Sequence, residues 1–111
     1  MARLMLFILV LFPFFSYAEI EESPEANIIK FQGYTEYGGG DVIFRLSSPA
    51  ATCKGYWLTK SHPGFETVMS MLIASFYSKN EIRAYGHTEN SNKWGGSGTH
   101  FCKLYTIKLK D

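Results

Sequence analysis

Apolar and polar positions change their period several times along the chain, and each change marks an element. Ile28 to Tyr37 is rich in β-branched and aromatic residues, with Ile29, Phe31 and Gly33 on one face, which predicts a first strand. Gly38-Gly39-Gly40-Asp41 predicts a turn, since glycine takes positive φ without steric cost. Val42, Phe44 and Leu46 then alternate with Ile43 and Arg45, so the two segments read as a hairpin. After a loop over 47–52, residues 53–59 predict a third strand. Tyr56 and Trp57 must face opposite ways there, and Trp57, in step with Cys53 and Gly55, is the one expected in the core. Ser61-His62-Pro63-Gly64 breaks the pattern. Phe65, Met69, Leu72 and Phe76 follow at helical spacing, predicting a helix over 65–78. Met71, Ile73, Ala74 and Tyr77 make the same helix apolar on further faces, which suggests a second covering surface such as another subunit. Residues 81–87 and 101–109 predict strands four and five, joined by a polar, glycine-rich loop that carries Trp94.

The front of the chain has a different character. Arg3 precedes a nearly unbroken apolar run from Leu4 to Phe15, and Ser16-Tyr17-Ala18 ends it with small residues two positions apart. Residues 1–18 therefore read as a secretory signal cleaved after Ala18. A membrane anchor would need about 18 to 20 apolar residues, and this run is shorter and interrupted by Pro13. Glu19, Glu21, Glu22 and Glu25 with Pro24 make residues 19–26 an expected flexible acidic leader, ahead of one domain over 27–111. Arg3 leaves with the signal, so ten Lys/Arg face ten Asp/Glu in the remaining 93 residues. A neutral balance lacks the basic excess that drives nucleic-acid binding or electrostatic membrane attachment. The expected location is secreted or periplasmic, with no membrane span.

Export also decides the cysteines. Cys53 and Cys102 are the only two, no histidines stand at metal-ligand spacing around them, and an oxidising compartment favours a disulfide. The element order, three strands, a helix and two strands, is that of the OB-fold, a five-stranded Greek-key barrel with one helix between strands 3 and 4. In such a barrel strands three and five meet in parallel. Cys53 and Cys102 open those two strands and would lie at one end. An open antiparallel sheet crossed by one helix uses the same elements.

Ala74-Ser75-Phe76-Tyr77 at the helix end, a short polar break, Ile82-Arg83-Ala84-Tyr85 and a later Trp94 resemble the central helix and following strand of the subtilase-cytotoxin B subunits. These are AB5 toxin B subunits, and the resemblance covers about a third of the domain. It implies an OB-fold, a homo-oligomer that is a pentameric ring with helices about a pore, a catalytic A subunit as partner, and host glycans as ligands. The family's sugar-binding tyrosine falls at Tyr85 or Gly86; its serine has no match in this chain.

Chemistry-bearing residues are few. Tyr85 and Trp94 each offer an apolar face and a polar tip suited to a sugar ring. Arg83, on the face of Tyr85, suits a carboxylate such as that of a sialic acid. His62, His87 and His100 are candidate general bases, and His87 with His100 would be the pair in a small secreted hydrolase. No nucleophile elbow or metal-binding histidine pair accompanies them. Gly95-Gly96-Ser97-Gly98 precedes a strand and reads as a flexible loop. The leading expectation is a secreted noncatalytic binding protein without cofactor, similar to a toxin B subunit, self-assembling and glycan-binding. The alternatives are a stand-alone exported envelope protein, inhibitor or ligand carrier, and the two-histidine hydrolase.

Overall fold

A computed structural model describes residues 19–109, so the signal reading of residues 1–18 lies outside the described residues. The described chain is mainly β: β1 (Ile20–Glu22), β2 (Ile28–Gly33), β3 (Asp41–Leu46), β4 (Gly55–Thr59), α1 (Phe65–Ser78), β5 (Arg83–His87) and β6 (Phe101–Lys108). The strands form one six-stranded mixed sheet in the order β1-β5-β6-β4-β3-β2. Five strands were expected, and β1 is the addition. The helix falls between β4 and β5, the third and fourth of the expected strands. Its residue bounds are those that the apolar period predicts.

Residues 19–26 were expected to be a flexible leader; the structure corrects this. Ile20, Glu21 and Glu22 pair antiparallel with His87, Gly86 and Tyr85. The Glu21 carboxylate accepts the main-chain N–H groups of Thr52 at 3.0 Å and Cys53 at 2.8 Å, clamping the segment that enters the disulfide. Further on, Ala26 bridges Ile82. Acidic side chains that look merely solvated in the sequence thus find donors thirty or more positions away.

The hairpin is as expected. Gly38, Gly39 and Gly40 all take positive φ (63°, 86° and 102°), the left-handed region that disfavours side chains. They return the chain from β2 to β3, which pair from Gly33 and Val42 up to Ile28 and Leu46.

β4 and β6 run parallel, with Tyr56 opposite Cys102. Cys53 and Cys102 form the expected disulfide, their Cα atoms 5.4 Å apart. Both are fully buried in the main core with Phe44, Leu58, Leu72, Ile82, Ala84 and Ile107. Leu72 and Ser75 are the buried residues of α1, while Phe65, Val68, Met69, Met71 and Phe76 pack partly against the same core. Ile73 and Tyr77 stay outside, 45 % and 78 % exposed.

The choice of Trp57 as the core member of its pair is also corrected. Tyr56 is 1 % exposed and stacks on Phe44 with ring centroids 5.2 Å apart, whereas Trp57 is half-buried on the outer face. Strand alternation begins at Gly55, after a bend at Lys54, so counting from Cys53 inverts the faces. Burial foremost, with the Glu21 carboxylate adding and the Ser23 side chain opposing, pushes the Tyr56 phenol up to about 12.

Gly86 is where β5 passes over the disulfide. A Cβ there would meet Cys102 Cβ at 2.8 Å, Tyr56 Cε1 at 2.9 Å and Cys53 Sγ at 3.0 Å. All three belong to buried residues with no room to retreat. Gly86→Ala should therefore cost about 1–3 kcal/mol through overpacking, read as a lower denaturation midpoint at unchanged slope.

Candidate functional site

Pairing of β1 and β6 on either side of β5 gives one outward face its residues. Along β5, Ala84 and Gly86 turn inward, and Arg83, Tyr85 and His87 turn outward. Two of the three expected ligand residues, Arg83 and Tyr85, thus share this face. Both engage Glu22 of β1: the Tyr85 hydroxyl donates to Glu22 Oε2 at 3.0 Å, and Arg83 Nε lies 3.6 Å from the same oxygen. Arg83 Nη1 also donates to the Ser23 carbonyl at 3.1 Å. The hydrogen bond to Glu22 holds the Tyr85 phenol above its ordinary value. Arg83, Glu22 and Tyr85 form a fixed, solvent-facing trio of cation, anion and aromatic ring.

Residues absent from the sequence-based site extend this face. Tyr85 pairs with Thr106 and Gly86 with Leu104, which leaves Tyr105 as the extra residue of a bulge in β6. Bulges re-aim side chains, and Tyr105 is 58 % exposed, its ring edge-on to His87 at 5.5 Å. The signal was present in the sequence: Leu104 and Ile107 are three apart, not two, in a strand that buries both.

Tyr105 also walls a cleft of about 240 Å³ between β6 and the start of α1. Leu58, Phe65, Val68 and Leu104 give it an apolar floor, and His62 and Lys103 bring polar groups to it. His62 Nδ1 accepts the Thr59 N–H at 3.3 Å, and its ring leans on Trp57 at 5.5 Å. Burial first, then the Lys103 ammonium, holds His62 below its ordinary 6.5, with Asp41 pulling the other way. The folded chain therefore prefers the neutral imidazole. Its stabilising share is complete above the unfolded value of 6.5 and is lost as pH falls through the lower folded value. Denaturation midpoints should decline on acidification below pH ~6.5, and His62→Gln should flatten that part of the profile.

Trp94, the third expected ligand residue, is elsewhere. It is 4 % exposed, in a second cluster with Ile43 and Phe101 that Tyr34 and Trp57 partly cover. Its indole N–H donates to Asp41 Oδ2 at 2.8 Å, and its ring meets Tyr34, Tyr37 and Phe101 at 5.5–5.6 Å. None of these neighbours belongs to the face of Arg83 and Tyr85. The indole of Trp57 is also committed, donating to the Asn92 carbonyl at 2.8 Å. The 88–100 loop thus folds down over the outer side of β3 and β4.

The histidines have different surroundings. His87 packs on Tyr105, whereas His100 has a buried Nε2 with no hydrogen-bond partner among the described residues. Among the described residues no cluster of three or more His, Cys, Asp or Glu could hold a metal ion, and no helix is long and apolar enough to cross a membrane. Comparison with protein-family models, curated proteins and solved structures finds no match to this chain.

Proposed function

We propose that this chain is an exported, noncatalytic binding module of OB-fold type, similar to an AB5 toxin B subunit, that takes acidic host glycans on the outer face of β1, β5 and β6. One observation carries the reading. Two outward tyrosines, Tyr85 and Tyr105, stand with Arg83, Glu22 and His87 on paired strands, offering ring faces and charged hydrogen-bonding groups together.

Pairing at the sheet margins supports the barrel part of the reading. β1 and β2, at opposite ends of the strand order, are consecutive in the chain. Between them the Ser23 N–H donates to the Ala84 carbonyl at 2.9 Å, and Ala26 and Ile82 exchange hydrogen bonds of 3.0 and 2.8 Å. Taken together, β1 and β2 pair with β5 at their start and with β3 at their end, the run that would join the two edges of a partly open five-stranded barrel. The 88–100 loop over Trp57 and Ile43 covers much of the outer side of β3 and β4, where OB-folds commonly take oligonucleotides, and this favours a ligand on the β5 side.

A glycan array probed with the mature protein tests the proposal. Binding should concentrate on glycans ending in acidic sugars, and Arg83→Gln and Tyr105→Ala should each weaken it about tenfold, the loss of one charge-assisted or stacking contact. No binding to any glycan, or binding indifferent to both substitutions, overturns it. Self-assembly belongs to the same proposal, through the open side of α1 around Met69, Ile73, Phe76 and Tyr77, which with Phe31 and Val42 line a shallow apolar groove. Light scattering should give a multiple of the monomer mass, a pentamer by resemblance, and Ile73→Glu should reduce it to the monomer. A catalytic A subunit would then be the further partner. The cleft at His62 and Lys103, with its apolar floor, favours a second reading, a carrier of small amphiphilic anions, for which the array would be silent.

A further inference from the structure

The antiparallel ladder of β1 and β5 ends at Ile20, one residue after the point where the apolar leader is expected to be cut away. Ile20 is opposite His87, so Glu19 faces Thr88 one step beyond. There the Glu19 main-chain N–H donates to Glu89 Oε2 at 3.1 Å, and the Glu19 carbonyl accepts the Thr88 N–H at 3.0 Å. Thr88 Oγ1 lies 3.4 Å from both the Glu19 carbonyl and its carboxylate.

We propose that Glu19 is the first residue of the working protein and that Glu89 is the receptor for its new α-ammonium. The inference rests on the export reading above and adds a maturation step to it. An export-linked endopeptidase breaks the Ala18–Glu19 peptide bond with one water; the hydroxyl goes to the Ala18 carbonyl and the proton to the Glu19 nitrogen. A neutral amide with one hydrogen becomes an amine, which takes up a further proton at neutral pH to become a cation with three. The carboxylate already 3.1 Å from that nitrogen then faces a full charge.

The consequence reaches the loop that follows β5. Glu89 Oε1 accepts from Asn92 Nδ2 at 3.3 Å, and the Asn92 N–H donates to the Glu89 carbonyl at 2.9 Å. The carbonyl of Asn92 holds the Trp57 indole, and Trp94 lies two residues on. Cleavage therefore adds a full charge to a tie that already joins Glu19 to the loop covering β3 and β4. Glu89 is kept below its ordinary value, chiefly by its own main-chain amide, with Asn92, the Glu19 amide and His87 adding. The charged groups about the new amine are Glu89, the side chain of Glu19 and His87.

The test uses the full chain made in an export-competent host. Intact mass of the product should place its start at Glu19. The α-amine, followed through the Glu19 Cα resonance of a 13C-labelled chain, should titrate above ~8, the ordinary upper limit for such a group, and Glu89→Gln should return it to that range. Exchange at the Asn92 and Lys93 amides should quicken roughly threefold, the scale of an exposed ion pair, in Glu89→Gln and in a chain that keeps Ala18. The two changes together should quicken it no further. A product still beginning at Met1 removes the export reading and this inference with it. A start at any other residue overturns the inference, as does a start at Glu19 whose amine and loop ignore Glu89→Gln; in those cases the export reading stands.

Discussion

Replacing both Cys53 and Cys102 with serine is expected to remove about 4 kcal/mol of stability, the chain-entropy value for a closed loop of about 50 residues. Domains have about 5–15 kcal/mol in total, so the double variant should stay folded on a much reduced margin, about 1 kcal/mol at the low end of that range. The bond joins β4 to β6, the one parallel strand pair among the described residues, across 49 positions of sequence. Parallel neighbours need a long crossover, here α1 and β5, and closing so large a loop is what the unfolded chain otherwise avoids. Both sulfurs are fully buried beside Gly86 and Tyr56, so serine would also place two hydroxyls in an apolar pocket. Urea denaturation with and without reductant measures the effect. Reduction should shift the wild-type midpoint downward and leave the double variant unchanged.

Trp94→Ala comes next in size, at about 3–5 kcal/mol for truncation of a buried indole. Its ring fills the space between Tyr34, Tyr37 and Phe101, and its N–H is the partner of Asp41 Oδ2. Asp41 is itself 4 % exposed, and its Oδ1 has no hydrogen-bond partner among the described residues, so truncation would leave the whole carboxylate unpaired in the interior. Trp94→Phe separates the two contributions. It keeps most of the packing and loses the hydrogen bond, and should cost about 1.5–3 kcal/mol, the range for a hydrogen bond to a charged group. Equilibrium denaturation of the three proteins decides whether Trp94 is this keystone. Equal stability would return the indole to the list of free binding surfaces.

These two variants also mark what the sequence makes legible. The helix over 65–78 and the 38–41 turn are written locally, in a 3.6-residue apolar period and three consecutive glycines. The disulfide was legible because only two cysteines exist and the element order placed both at strand openings. β1 was hidden because three of its flanking and internal residues are glutamates, which locally signal solvent. Their partners, the amides of Thr52 and Cys53, Arg83 and the Tyr85 hydroxyl, lie 31 to 63 positions away. Trp94 was read as a ligand platform for the same reason, since Asp41 stands 53 positions from it. The inversion of Tyr56 and Trp57 has a local cause, a bend at Lys54 that resets the alternation. Half of the candidate face was legible in Arg83 and Tyr85. Tyr105 was not, because a bulge, visible only as a three-residue step between Leu104 and Ile107, turns it outward.

Chemical-shift mapping of the mature protein with a sialylated trisaccharide bears most directly on the proposed binding face. Saturable shifts should cluster at Glu22, Arg83, Tyr85, His87 and Tyr105, and leave the amides around Trp94 and the 34–40 turn in place. Shifts confined to the turn and the 88–100 loop, or none at millimolar sugar, would contradict the account.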